Sequence, residues 1–182
     1  ISDDEILNCV RYHHGMYLKN ASLAEDDKAY VVYYADNVAA FSDRREAEAG
    51  EGGFDKTMPL ESVFNILNGN HGQSHYAMQV LNPKNEINYP TEDEISMDEH
   101  FYQSVIQNIT DNLKGITLDE EYINSLLAVL EANLTYIPSS TSKKELADIS
   151  LYDHMKMTAA VASCVMQFLT AKGEKTSRTQ SF

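Results

Sequence analysis

The chain has 182 residues, 43% hydrophobic and 23% charged, enough for one domain with a real core and an ordinary globular composition. Its net charge of -14 excludes a domain that grips a phosphate backbone with its own surface charge, since such domains are basic. No apolar run approaches a membrane span, and the acidic opening Ile1-Ser2-Asp3-Asp4-Glu5 is not a signal peptide, so a cytoplasmic setting is expected.

In chain order, Ser2 reads as an N-cap, with Asp3, Asp4 and Glu5 at the positive end of a helix dipole. Ile6, Cys9, Val10 and His13 share one face of that helix, which Gly15 is expected to end. A second helix is predicted from near Asp26 to about Glu46, with the stripe Ala29, Val32, Tyr33, Asp36, Ala39, Ala40 and with Arg44 and Arg45 at its C-terminal end. Residues 47–59 read as a loop broken by Gly50, Gly52, Gly53 and Pro59. Segments 61–67 and 75–81, rich in Val, Ile, Phe, Tyr and Leu around Asn68-Gly69-Asn70-His71-Gly72, predict a β-hairpin.

A hydrophilic stretch, 82–96, precedes helices predicted at about 97–114, ended by Gly115, and 118–136. The second of these carries the strong period Tyr122, Ile123, Leu126, Leu127, Leu130, Leu134. After a Pro138–Ser142 loop, a last helix is predicted from about Ser150 to Lys172. The Gly, Lys, Ser and Thr rich tail 173–182 reads as a linker. The expected class is mainly α with a small β-hairpin insertion. Both cysteines, Cys9 and Cys164, fall in apolar helical patterns outside any zinc spacing and are expected to be buried free thiols.

Each of three helices places a metal-ligand side chain inside its apolar stripe. Asp36 interrupts Ala29 to Ala40, a run otherwise of apolar residues, tyrosines and Asn37; His13 extends the face of Ile6, Cys9 and Val10; His154 lies with Leu151, Thr158, Val161, Ala162 and Val165. A carboxylate on such a stripe is costly unless paired or metal-bound. Singly, each has a bland reading, a satisfied core histidine or an aspartate capping a neighbouring helix. Together, on separate helices, they match the way a bundle builds a metal site, and their side chains should converge within about 4–8 Å. Imidazole and carboxylate together suit Mn, Fe, Co, Ni or Zn, and the natural chemistry is phosphate-ester hydrolysis. His71, His75 and His100 read as solvated, and the sequence carries neither a phosphate-binding Gly-rich loop nor a nucleophile elbow.

The blocks "YHHG" at 12–15, "AYVVYYADNVAAFSDRRE" at 29–46 and "YIPSSTSKKELADISLYDHMKMTAAVASCV" at 136–165 resemble the N-terminal HD-nuclease domain of the large subunit of type III-A CRISPR–Cas effector complexes, in order and spacing. The likeness covers nearly the whole chain. It implies a circularly permuted HD-domain helical bundle over 1–172, with 173–182 leading toward palm domains that make cyclic oligoadenylates in the family. It implies metal-dependent cleavage of single-stranded DNA in antiviral defence, using His13, Asp36 and His154 as catalytic and metal residues with a divalent ion such as Mn, Ni or Co. It implies as partners the other subunits of the complex, and CRISPR RNA and target RNA through them. The adjacent His-Asp pair of the family is absent here, the nearest being Asp153-His154 in the opposite order. The chain also opens without Met. It therefore reads as a piece of a longer protein lacking its His-Asp helix, with a weakened metal site. The competing reading is an inactive HD-like scaffold that serves assembly of the complex.

Overall fold

A computed structural model describes residues 3–43, 52–67, 71–95, 100–117, 119 and 121–181. The fold is mainly helical with one small antiparallel sheet, as expected. The α-helices are α1 (Asp3–Tyr12), α2 (Gly15–Leu18), α3 (Ala29–Asp43), α4 (Phe101–Leu113), α5 (Tyr122–Leu134) and α6 (Leu151–Lys172). Short 3-10 helices occupy Val63–Asn65 and Thr176–Ser181. The chain divides into two compact units, residues 1–43 with 154–182, and residues 44–153.

In the first unit, α3 packs against α1 and against the terminal 3-10 helix. Buried Val31, Ala35 and Ala39 line one side of α3, and buried Ala29 and Ala40 line another. Small side chains on both sides let neighbouring elements approach closely. Asp27 opens the helix, accepting the Ala29 N–H at 2.9 Å. Two polar links tie α1 to the start of α3: Asn8 donates to Asp27 Oδ2 at 2.8 Å, and Lys28 pairs with Glu5.

Two expectations change here. Gly15 does not end the first helix by a left-handed turn. It begins α2, and a Cβ there would lie 2.9 Å from the Tyr33 hydroxyl, so the missing side chain makes room for a ring of α3. The expected buried face of α1 is split, because Ile6 and Val10 are exposed while Cys9 and His13 are half-buried. Residues 176–181, within the stretch expected as a linker, form a 3-10 helix bound to backbone. Thr176 Oγ1 donates to the Glu25 and Asp27 carbonyls, at 3.1 and 2.7 Å, and Thr179 Oγ1 donates to Tyr30 O.

The second unit holds the apolar cluster of Val105, Leu134, Ile137 and Tyr152, formed where α4 and α5 pack together and flanked by Val80, Phe101, Ile109 and Leu130. The expected hairpin shrinks to β1 (Leu60–Glu61) against β2 (His75–Tyr76), antiparallel, with Leu60 opposite Tyr76 and Glu61 opposite His75. Its turn, 68–70, lies outside the described residues. The ladder stops because side chains replace it. The Ser62 hydroxyl accepts from Phe64 N and starts the 3-10 turn. The Asn65 side chain donates to Ser74 O at 2.8 Å and accepts from Ser74 N and Oγ.

Gly115, at φ +80, follows α4 as expected. Ser150 caps α6 reciprocally: its hydroxyl accepts from Asp153 N at 3.0 Å and donates to Asp153 Oδ2 at 2.7 Å. Both cysteines are free, but neither is buried: Cys9 is half-buried and Cys164 is exposed. Among the described residues no helix is long and apolar enough to cross a membrane.

Candidate functional site

Helix spacing builds the site. On α3, Ala29, Asp36, Ala40 and Asp43 recur at intervals of 7, 4 and 3 residues and so lie on one face. Asp36 thus shares its side of the helix with the small, buried Ala29 and Ala40 and with a second carboxylate, Asp43. On α6, His154 sits one turn into the helix that Ser150 caps.

His154 joins both carboxylates. Its Nε2 lies 3.1 Å from Asp36 Oδ1 and its Nδ1 lies 2.8 Å from Asp43 Oδ2. The three side chains are only 15%, 22% and 12% exposed, in the order His154, Asp36, Asp43, so the pairs are shielded enough for their charges to matter. The hydrogen bond to Asp36, opposed by burial and helped by the bond to Asp43, holds the His154 imidazolium above its ordinary range. Burial pushes the Asp36 carboxyl up, but the His154 hydrogen bond, with the charges of His154, His13 and His14, outweighs it, and the net shift is down. The His154 ring thus bridges the two carboxylates, one at each nitrogen.

His13 stands apart from that hydrogen-bonded group. It is half-buried, with Nδ1 2.6 Å from the Val10 carbonyl, a bond that leaves Nε2 as its other donor atom. Its ring lies 4.0 Å from that of His14, and it acts on Asp36 through charge. Asp36 and His154 therefore meet more closely than the span expected across a metal, because they bond directly. Asp43 was not among the residues singled out from sequence. The available signal was its spacing of seven from Asp36, two turns along the same face, and the adjoining Arg44 and Arg45 masked it as an ordinary charged helix end. His71, His75 and His100 lie outside this group; His75 Nε2 donates to the Asp93 carbonyl at 2.9 Å.

The donors fit a divalent transition metal in kind, one imidazole nitrogen and one carboxylate oxygen. They also fit in spacing, since donors side by side on an octahedral ion, each about 2.1 Å from it, stand about 3.0 Å apart. One turn beyond His154 on the same face, Thr158 has a buried hydroxyl with no hydrogen-bond partner among the described residues. In number the donors fall short, because among the described residues no group of three or more His, Cys, Asp or Glu side chains is arranged to hold a metal ion.

No family model matches the chain. Curated proteins named CRISPR system single-strand-specific deoxyribonuclease Cas10/Csm1 (subtype III-A) do, among them three from bacteria. The protein of Mycobacterium tuberculosis is 34% identical over 190 residues, covering 100% of this chain and 23% of that one. That of Enterococcus italicus is 38% identical over 173 residues, covering 91% and 23%. That of Streptococcus thermophilus is 31% identical over 180 residues, covering 95% and 24%. The chain thus spans about a quarter of the length of these relatives. Among solved structures, a Csm1-Csm4 cassette in complex with pppApA superposes with a TM-score of 0.61 at 27% identity, over 98% of this chain and 21% of that one. Csm1 of T. onnurineus gives 0.53 at 31% identity, over 74% and 16%.

Proposed function

The chain belongs to the Cas10/Csm1 family of CRISPR subtype III-A, and we propose that it forms a circularly permuted HD-type phosphohydrolase domain cleaving single-stranded DNA in antiviral defence. The observation that carries the reading is the 3.1 Å approach of His154 Nε2 to Asp36 Oδ1, between helices separated by more than a hundred residues of chain. The sequence pattern singles out those two side chains, and the structure joins them by a direct hydrogen bond.

In this reading Asp36 and His154 hold a divalent ion such as Mn, Ni or Co, and His13 either holds a second ion or contacts the scissile phosphate. A bound ion supplies a water of lowered pKa and neutralises charge on the phosphoryl oxygens. The chain's own residues do the rest. Asp36 enters the reaction as a carboxylate, since its protonation is already disfavoured by His154, His13 and His14. His13 presents Nε2 because its Nδ1–H is committed to the Val10 carbonyl. Burial around Asp36 and His154 limits the water that competes with the DNA phosphate. The net charge of -14 gives the chain no general hold on nucleic acid, so strand delivery falls to the metal and to other subunits of a type III-A complex, with CRISPR RNA and target RNA bound through them.

The test is cleavage of labelled single-stranded DNA by the natural full-length protein with Mn2+. Asp36→Asn and His154→Ala should each lose at least about a hundredfold in rate, and chelation should abolish cutting. Undiminished cutting by both variants contradicts the proposal. The small number of donors among the described residues favours a second reading, an HD-like scaffold without activity that serves assembly of the complex. That reading requires wild-type protein that assembles with its partner subunits but cuts no DNA at any Mn2+ concentration.

A further inference from the structure

We infer that Asp43 is the positioning residue of the metal site: it binds His154 Nδ1–H, and so sets which nitrogen of that ring, and which direction, is offered to an ion. The inference rests on the reading of His154 as a ligand and adds to it a residue that neither the homology nor the sequence pattern assigns.

The geometry is specific. A histidine has one nitrogen to give a metal, and the ring must then carry its proton on the other. His154 has a carboxylate at each nitrogen, Asp43 at 2.8 Å from Nδ1 and Asp36 at 3.1 Å from Nε2. The two carboxylates are not equivalent. The shorter bond goes to the residue at the last turn of α3, and the side chain of Asp43 is the more enclosed, 12% exposed against 22% for Asp36. An ion sharing Asp36 must approach on the Nε2 side, because that is where the Asp36 oxygen stands. Nδ1 is then the nitrogen left to hold the proton, and Asp43 is already seated to receive it.

Asp36 and Asp43 can flank one ring because they lie seven residues, about two turns, apart on one face of a helix, which separates their Cα atoms by about 10 Å along its axis. The imidazole of α6 fits between two such side chains. Carboxylates that accept the remote N–H of a ligating histidine fix the tautomer and raise ligand basicity, and their loss costs about 10–100-fold in metal affinity. Asp43 touches neither substrate nor metal in this arrangement; it acts through His154.

The experiment is Co2+ binding to the natural full-length protein, followed by its visible absorption, with 15N-histidine NMR of the Zn2+-loaded protein to read which ring nitrogen is protonated. Asp43→Ala should weaken Co2+ binding by about 10–100-fold and abolish the single Nδ1–H signal of His154. Asp43→Asn keeps the shape and an accepting oxygen but not the charge. It should weaken binding less, keep Nδ1 protonated, and shift that proton's resonance, and it carries the test if the alanine variant does not fold. His154→Ala separates the two ideas. If it binds Co2+ as wild type does, the assignment of His154 as a ligand fails. If it loses binding while Asp43→Ala and Asp43→Asn bind Co2+ as wild type and retain its Nδ1–H resonance, the positioning role of Asp43 is overturned and the ligand assignment stands. A role confined to the stability of the end of α3 would lower the melting temperature without moving the His154 resonance.

Discussion

Asp36 and Glu61 are both half-buried carboxylates, one in each unit, and their surroundings treat them oppositely. Burial pushes both up. At Asp36 the histidine of α6 reverses the shift, whereas at Glu61 the nearby charge of Asp148 adds to it and only a backbone bond to Ala147 and the charge of His75 oppose it. The unit of Asp36 closes around small residues of α3 and keeps a hydrogen-bonded Asp36–His154 pair largely shielded from solvent. The unit of Glu61 closes around Val105, Leu134, Ile137 and Tyr152. Burial of a carboxylate alone is therefore a poor guide to a site. What separates the two is whether the fold supplies a reason for the charge to stay.

The largest effect expected from this contrast is in the apolar unit. Leu134→Ala removes a 6% exposed side chain from the cluster and should cost about 2–5 kcal/mol in urea unfolding. A loss under about 1 kcal/mol would mean that this cluster does not hold the unit. In the other unit the sensitive change runs the opposite way, toward larger residues. Ala35, fully buried on α3, leaves no room, so Ala35→Leu should destabilise by about 1–3 kcal/mol through overpacking. Unchanged stability would show that α3 is less tightly surrounded than described.

A smaller effect tests the helix that carries His154. Ser150→Ala removes the reciprocal cap on Asp153 and should cost about 1 kcal/mol, read as a drop in melting temperature. No drop would mean that the cap contributes nothing to α6. The smallest sharpens the carboxylate comparison itself. Because the folded pKa of Glu61 is raised, its contribution to stability is fully present below its unfolded value, about 4.3, and is lost as pH rises through the folded value. Glu61→Gln should therefore leave the melting temperature nearly unchanged at pH 4 and raise it slightly at pH 7. A gain confined to pH 4 would reverse the sign and refute the assigned cause.

Much of this was legible in the sequence where periodicity was strong. The helices around Leu126 to Leu134 and Leu151 to Lys172 follow their stripes to within a few residues. Asp36 and His154 stood out because a charge or a ring nitrogen inside an apolar stripe needs a partner, and in the structure each is the other's. What was not legible depended on contacts distant in sequence. Gly15 looks like a helix stop until the Tyr33 ring is seen against it. The strand pattern around 61–81 overstates a ladder that Ser62 and Asn65 replace with side-chain bonds. Nothing in the composition of residues 176–181 announces that Thr176 and Thr179 will bond carbonyls at the start of α3. Asp43 was hidden by its basic neighbours, although its seven-residue spacing from Asp36 already put both on one face.

The central claim, that Asp36 and His154 form part of a metal site, is tested most directly by a crystal structure of the natural full-length protein soaked in Mn2+, with anomalous scattering recorded. The account predicts an anomalous peak bonded to both Asp36 Oδ1 and His154 Nε2, with Asp43 still on His154 Nδ1. A well-occupied Mn2+ bound elsewhere, with the direct Asp36–His154 hydrogen bond intact, would contradict it.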